Sequence, residues 1–428
     1  MKLFLFIALL GLVLAGCTQV PMNDANMAVG LASAKKSSKS PDRASKERSA
    51  EAKSKYVAPQ ALNEFTNTLN AEGRDGRRHG VYVETLDGAE PVAMMNEDAL
   101  FNPASVIKLA TTLAALNKLG PNHRFHTDLL ADGEINAKTG ELNGDLVLYS
   151  GRDPSLSLSD AKQAGDALRN FGVRRVNGGL VVIGQFDCNH NSQTSVSAEV
   201  FARNLGIAFR NPIKYEDANS LPRGRLLVTV ESDTLLRIAQ YQNAHSVNSM
   251  AETLASHIGG PQYVRNFLIE HAELSPDTIK ISTGSGLNVN RLSPRDTVKM
   301  LRAMVNWLNK YGLKADAVMG IGGMDPGTMR ARFNEGQFAG SIVAKTGTLT
   351  STDSGMAALA GVMRTRNRGT LLFAVYDGAE YRRIVPLRKT QDVFLKNLMN
   401  ELGGPAPDRE RSLTSNGDRL LSRMILAE

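Results

Sequence analysis

The stretch FNPASVIKLATTLAALNKLGP, residues 101–121, predicts an apolar helix that begins beside a serine and a lysine. Its apolar side chains recur at helical spacing, and Gly120 and Pro121 end the pattern. Ser105 and Lys108 stand three residues apart near its start and therefore share one face. Burial would lower the pKa of such a lysine, and a neutral lysine can take the proton of a neighbouring serine hydroxyl. The pair is therefore either a helix cap beside a solvated lysine or a nucleophile beside its base.

The Ser-x-x-Lys spacing carries little weight by itself. It also joins Ser33 to Lys36 in a polar N-terminal segment and Ser159 to Lys162 in a polar helical pattern. A serine near a helix start is more often a cap than a nucleophile. Only around Lys108 is the helical pattern strongly apolar, and this context favours the catalytic interpretation.

Lys-Thr-Gly occurs twice in the chain. Residues 138–140 lie between two glycine-containing turn signals, which predicts a polar turn. Lys345, Thr346 and Gly347 instead follow a strand-like run and precede another one. A strand edge with a lysine and a threonine can bind a carboxylate and pair with an extended peptide. A phosphate-binding loop is excluded, because Ala344 replaces the glycine that such a loop needs before its lysine.

A third pattern, Ser-x-Asn at residues 246–248, opens another helical segment between those two motifs. The order Ser-x-x-Lys, Ser-x-Asn, Lys-Thr-Gly resembles that of penicillin-binding proteins and β-lactamases. Over about residues 61–400 the chain closely resembles the low-molecular-mass class C penicillin-binding proteins of the D-Ala-D-Ala carboxypeptidase/endopeptidase type, peptidase family S13. Besides the motifs, the segments that carry this resemblance are residues 102–105, 144–147, 151–156, 284–287 and 327–333. Two departures are a short interval at residues 187–241 and Val247, where many relatives have aspartate.

The resemblance implies an α+β fold of the penicillin-binding-protein/β-lactamase type, with an antiparallel sheet flanked by helices and a mainly β inserted domain. The domains that we predict are a lipoprotein signal peptide (1–16), a lipidated basic tether (17–60), a catalytic domain (61–122 and 240–402), a reduced inserted domain (123–239) and a polar C-terminal tail (403–428).

The resemblance also implies a serine acyl-transfer site that needs no cofactor and no metal. The implied catalytic residues are Ser105, Lys108 and Ser246, and the implied substrate-binding residues are Asn248, Lys345, Thr346, Gly347 and Thr348. Ser105 would attack the carbonyl between the last two D-alanines of a peptidoglycan stem peptide, with Lys108 as general base. Backbone N–H groups of Ser105 and Thr348 would form the oxyanion hole. β-Lactam antibiotics would acylate the same serine.

The N-terminus predicts export and a lipid anchor. Residues 1–16 combine a lysine with an apolar run that is too short to span a bilayer. Leu14-Ala15-Gly16-Cys17 resembles a bacterial lipobox, which implies lipidation of Cys17 and attachment to a bacterial membrane, facing the periplasm from the outer membrane. Cys188 then has no intramolecular partner, and we expect a buried, unreactive thiol.

The net charge of +7 does not indicate a nucleic-acid partner. Residues 35–55 alone contain eight basic side chains against three acidic ones, so the folded part is nearly neutral. Two other functions stay open on the sequence: a serine β-lactamase or esterase on the same scaffold, and a non-catalytic wall-binding lipoprotein. The long segment between Ser105 and Ser246 disfavours the first, and the intact motif residues disfavour the second.

Overall fold

A computed structural model describes residues 56–379, 384–408 and 419–427 of the chain. The predicted signal peptide, Cys17, residues 17–55 of the tether and residues 409–418 of the tail lie outside the described residues. No helix in the described ranges is long and apolar enough to cross a membrane.

The described strands and helices follow one another in two groups interrupted by an insertion. The strands are β1 (His79–Thr85), β2 (Pro91–Met95), β3 (His126–Asn136), β4 (Glu141–Ser150), β5 (Arg175–Val176), β6 (Leu180–Ile183), β7 (Ala208–Phe209), β8 (Lys214–Glu216), β9 (Arg225–Glu231), β10 (Gly320–Ile321), β11 (Ile342–Leu349), β12 (Met356–Thr365), β13 (Gly369–Gly378) and β14 (Arg423–Leu426). The helices are α1 (Gln60–Ala71), α2 (Lys108–Leu119), α3 (Leu158–Asn170), α4 (Thr194–Leu205), α5 (Leu235–His245), α6 (Asn248–Ile258), α7 (Gly260–His271), α8 (Pro294–Lys310) and α9 (Ile384–Glu401).

The main sheet has six strands in the order β10-β11-β12-β13-β1-β2, and all its pairs are antiparallel. Helices cover both of its faces. Along β1, Val81 and Val83 pack with α1 and α9, whereas Tyr82 packs on the other side with α2 and α8. This alternation is the period of two that a strand buried on both faces requires. The predicted antiparallel sheet flanked by helices is confirmed.

The insertion between α2 and α5 builds a second sheet with its own core. β3 pairs antiparallel with β4 and β9, and β4 pairs parallel with β5 and β6. Helices α3 and α4 contribute Leu168 and Phe201 to the core, beside Phe186 and the buried free thiol of Cys188. Burial raises the pKa of that thiol to about 12, which keeps it protonated and unreactive.

The borders of the inserted domain differ from those predicted. Leu235 and Ile238 of α5 lie in the core around α2, so the catalytic domain resumes before residue 240. The predicted polar tail contributes an edge strand, because β14 pairs antiparallel with β9 and Met424 packs on the inserted core. The run of apolar residues in the tail is too short to predict a strand without knowing that β9 offers an open edge.

Candidate active site

Ser105 lies in a 3₁₀ helix, Ala104–Ile107, that leads directly into α2. Its side chain lines a cleft beside β11. Two glycines allow other segments to approach this turn closely. A Cβ at Gly286 would stand 2.0 Å from the carbonyl oxygen of Ala104. A Cβ at Gly347 would stand 2.8 Å from the carbonyl oxygen of Pro103, the residue before this turn. Because real side chains do not tolerate such distances, glycine is required at both positions.

Lys108 is fully buried beneath the cleft, and its amine contacts three oxygen atoms. Nζ lies 2.8 Å from Ser105 Oγ, 2.7 Å from Asn248 Oδ1 and 2.7 Å from the carbonyl oxygen of Ser285. A neutral lysine has two N–H donors and one lone pair. The amide and carbonyl oxygens can only accept, so they take the two N–H groups and the lone pair is left for the Ser105 hydroxyl. This is the arrangement of a general base beside its nucleophile.

The pKa of Lys108 matches that role. Burial lowers it to about 7, and the negative charge of Glu252 opposes part of this shift. A substantial fraction of Lys108 is therefore neutral near pH 7, whereas a solvated lysine would be almost entirely protonated. The apolar setting inferred from the sequence thus has the electrostatic consequence predicted for it.

Sequence reasoning missed one residue, Glu252, that holds the surroundings of this lysine in place. Glu252, one helical turn after Asn248 on α6, accepts hydrogen bonds from the backbone N–H groups of Gly284 at 3.1 Å and Ser285 at 2.9 Å. These bonds fix the segment whose carbonyl oxygen binds Lys108. The sequence signal available was the spacing of four residues between Asn248 and Glu252, which places both on one helix face.

A second serine–lysine pair, Ser246 and Lys345, joins the end of α5 to β11, and its serine lines the cleft. Ser246 ends α5 in the left-handed conformation, with φ of +60°. Lys345 Nζ lies 2.9 Å from Ser246 Oγ and 2.7 Å from the carbonyl oxygen of Thr346. Burial lowers the pKa of Lys345 well below its usual value, and the like charge of Lys108 adds to this. Since two charged amines so close are costly, a proton gained by one lysine disfavours a proton on the other.

β11 forms one wall of the cleft. Thr346 and Thr348 are two residues apart, so they lie on the same face of the strand, and both are partly exposed to the cleft. Lys345 and Gly347 alternate with them and are buried. The structure thus brings together the eight residues that the sequence places in the site, although they come from three distant segments. The cleft has a volume of about 740 Å³. The motif residues that line it are Ser105, Ser246, Asn248, Thr346 and Thr348.

The rejected motif copies lie elsewhere. Ser159 and Lys162 are exposed on α3 of the inserted domain. The Lys-Thr-Gly copy at residues 138–140 forms the turn between β3 and β4. Within the described ranges, no group of three or more His, Cys, Asp or Glu side chains could hold a metal ion.

We expect the rate constant for acylation by benzylpenicillin to rise with pH through a midpoint near 7. Below that pH the lone pair of Lys108 is protonated and cannot accept the serine proton; above it the amine is neutral and the rate reaches a plateau. The measurement is the second-order rate constant of acylation between about pH 5 and pH 9.

A variant that removes one negative charge near Lys108 tests whether this lysine is the titrating group. Glu252→Gln removes the negative charge that holds the pKa of Lys108 up, so the midpoint should move to lower pH. Glu134→Gln makes the same change at an exposed site at the end of β3 and should leave the midpoint in place. If the acylation rate does not vary with pH, or if its midpoint is the same in Glu252→Gln as in the wild type, Lys108 is not the group that sets the pH dependence.

The family model described as the D-Ala-D-Ala carboxypeptidase 3 (S13) family matches residues 62–195 and 191–398. D-alanyl-D-alanine carboxypeptidase DacB of Haemophilus influenzae is 27% identical over 127 residues, which are 30% of this chain and 26% of that protein. The chain thus spans about a quarter of the length of this curated relative.

Two solved structures show the fold. Penicillin-binding protein 4 of Haemophilus influenzae superposes with a TM-score of 0.63 at 20% identity, over 76% of this chain and 96% of that one. A predatory endopeptidase from Bdellovibrio bacteriovorus, solved acylated by penicillin G, superposes with a TM-score of 0.64 at 20% identity, over 80% and 99% of the two chains. The penicillin-binding-protein fold that the sequence predicts is confirmed.

Proposed function

The chain belongs to the D-Ala-D-Ala carboxypeptidase 3 (S13) family, and from that premise we propose that it is a serine-type D,D-peptidase that cleaves peptidoglycan stem peptides through an acyl-enzyme on Ser105. The observation that carries the proposal is the 2.8 Å contact between Ser105 Oγ and the buried amine of Lys108, whose pKa is about 7. A capping serine beside a solvated lysine would have neither the burial nor the shifted pKa.

Acylation begins when Lys108 Nζ takes the proton of the Ser105 hydroxyl. The Ser105 oxygen then forms a bond to the carbonyl carbon of the penultimate D-alanine, and the carbonyl electron pair moves onto its oxygen. Backbone N–H groups of Ser105 and Thr348 would stabilise this oxyanion; removal of one such donor typically costs about 10²–10³ in rate. Asn248 keeps Lys108 in place through its side-chain oxygen.

Collapse of the intermediate breaks the bond to the leaving amine, which must gain a proton. Ser246, hydrogen-bonded to Lys345, would relay that proton. Thr346 and Thr348, on the cleft face of β11, would bind the carboxylate of the leaving residue, and the approach of this negative charge would favour the protonated form of the buried Lys345. Water then attacks the acyl-enzyme and releases the shortened peptide. β-Lactams would acylate Ser105 by the same route.

We also propose that the protein acts in the cell envelope, attached to a membrane by lipid on Cys17. The lipobox-like sequence at residues 14–17 supports this placement. Residues 17–55, which lie outside the described residues, are the predicted tether between that anchor and the catalytic domain.

Digestion of purified peptidoglycan, followed by chromatography and mass spectrometry of the products, tests the activity. We expect loss of the terminal D-alanine from pentapeptides, conversion of cross-linked dimers to monomers, or both, and no product with Ser105→Ala. Rapid hydrolysis of benzylpenicillin without any peptidoglycan product would instead favour the β-lactamase alternative. A protein that neither reacts with penicillin nor cleaves peptide would favour the wall-binding alternative.

A further inference from the structure

The cleft extends beyond the reacting groups along one face of α9. Side chains on this face recur at spacings of three and four residues, as one face of a helix requires. The opposite face of α9 is buried in the core under the main sheet, with Leu387, Phe394 and Leu398. The residues of α9 that line the cleft, called here the α9 stripe, are Val385, Arg388, Lys389, Asp392, Val393 and Lys396.

Arg388 connects the α9 stripe to the reacting centre. Its Nη2 donates a hydrogen bond to Thr348 Oγ1 at 2.6 Å. Among the described residues, no carboxylate forms an ion pair with Arg388, whereas the neighbouring Arg332 is paired with Asp392 at 2.6 Å. Burial and the charge of Arg332 lower the pKa of Arg388, yet a guanidinium remains protonated in proteins. Arg388 therefore offers a charged donor fork, suited to a carboxylate, at the end of β11.

The rest of the α9 stripe carries two lysines and one aspartate, and the aspartate is the partner of Arg332. Lys396 pairs across the cleft with Glu335 at 2.5 Å. Lys389 is exposed, and within the described ranges no acidic side chain pairs with it. The cations left without an acidic partner, Arg388 and Lys389, predict an anionic ligand.

The length of the α9 stripe indicates the size of that ligand. Arg388 and Lys396 are eight residues apart, or about 12 Å along a helix. An extended peptide advances at most about 3.3–3.6 Å per residue, so three or four residues would span this distance. A single leaving D-alanine reaches only the Arg388 end.

We propose that the α9 stripe is a leaving-side subsite, which binds the second stem peptide of a cross-linked peptidoglycan dimer. Where the diamino acid of a cross-link carries a carboxylate on the same carbon as the leaving amine, that carboxylate stands beside the scissile amide. Arg388 and Thr348 bind that carboxylate, and Lys389 attracts an acidic group farther along the leaving stem. Thr348 places the subsite on the leaving side, because the carboxylate next to the scissile amide belongs to the leaving half. This inference rests on the proposed D,D-peptidase function and adds a preference for the endopeptidase reaction.

The test compares kcat/KM for a linear peptide ending in D-Ala-D-Ala with kcat/KM for a cross-linked tetrapeptide dimer. Lys389→Glu should lower the dimer value about tenfold more than the linear value, because the new carboxylate repels the leaving stem. Arg388→Ala should lower both values by about 10- to 100-fold, since both substrates present a carboxylate to it. When the terminal carboxylate of the linear substrate is amidated, wild type and Arg388→Ala should have nearly the same kcat/KM. If Arg388 had a purely structural role, the difference in kcat/KM would persist with the amidated substrate.

Lys162→Glu, the same charge change at an exposed helical site outside the cleft, should leave both values as in the wild type, and thermal unfolding checks that every variant is folded. If the wild type cleaves both substrates but Lys389→Glu keeps the wild-type ratio of dimer to linear activity, the subsite is refuted while the D,D-peptidase function stands. If the wild type cleaves neither substrate, the function itself is refuted.

Discussion

Ser105→Ala is expected to abolish covalent labelling by a fluorescent penicillin and to lower peptide cleavage by at least about 10⁴-fold. The substitution removes the only atom that can form the acyl bond in the proposed mechanism. It should leave the fold intact, because Ser105 is partly exposed in the cleft and Lys108 retains its hydrogen bonds to Asn248 and Ser285. Gel fluorescence after incubation with the labelled penicillin measures the first effect, and product release from peptidoglycan measures the second.

The matched control is Ser159→Ala, which removes the serine of a Ser-x-x-Lys copy that lies exposed on α3. That variant should label as the wild type does. Labelling that persists in a folded Ser105→Ala protein would place the nucleophile elsewhere in the chain.

Lys108→Met should slow acylation by about 10²–10⁴-fold, the usual contribution of a general base. Methionine keeps an unbranched side chain of similar length in the core but has no lone pair on nitrogen for the serine proton. Stability should change little. The folded variant no longer bears the cost of burying an amine. This gain is offset because the Asn248 and Ser285 oxygens each lose a donor, which lowers the free energy of unfolding by about 1–3 kcal/mol per unsatisfied group. Stopped-flow measurement of acylation and thermal unfolding separate the two effects.

The residual acylation of Lys108→Met should also lose its pH midpoint near 7, since the titrating amine is gone. Lys162→Met, at the exposed copy of the motif, should keep both the rate and the midpoint. A folded Lys108→Met protein with the wild-type rate would show that another group removes the serine proton.

The main sheet and its helices could be predicted from the sequence because their signals are local. The apolar period around Lys108 and the strand-like runs before and after Lys345 each depend on neighbours within one helix or strand. The tail strand could not be predicted in this way. β14 exists because β9 offers it an edge, and β9 lies almost two hundred residues earlier.

The residues of the candidate site also fall into two groups, those that local sequence patterns reveal and those whose role depends on distant contacts. The motif serines and lysines could be recognised, and the three further motif copies could be set aside by their polar surroundings. Glu252 and Arg388 could not be assigned a role, because neither belongs to a motif. Glu252 gains its role from backbone N–H groups 32 and 33 residues away, and Arg388 from a threonine 40 residues away.

The sequence by itself determined which groups can react: a serine beside a lysine in an apolar helix, a second serine, and a strand edge with a lysine and two threonines. Only the tertiary structure decided how they react. The pKa of Lys108 depends on burial and on oxygen atoms of Asn248 and Ser285, which lie 140 and 177 residues away along the chain. The reach of the cleft depends on the position of α9, which packs on α1 and β12 and lines the cleft with its other face. Hydrogen bonds and desolvation act over a few ångströms in space, and local sequence patterns do not encode which distant segments come that close.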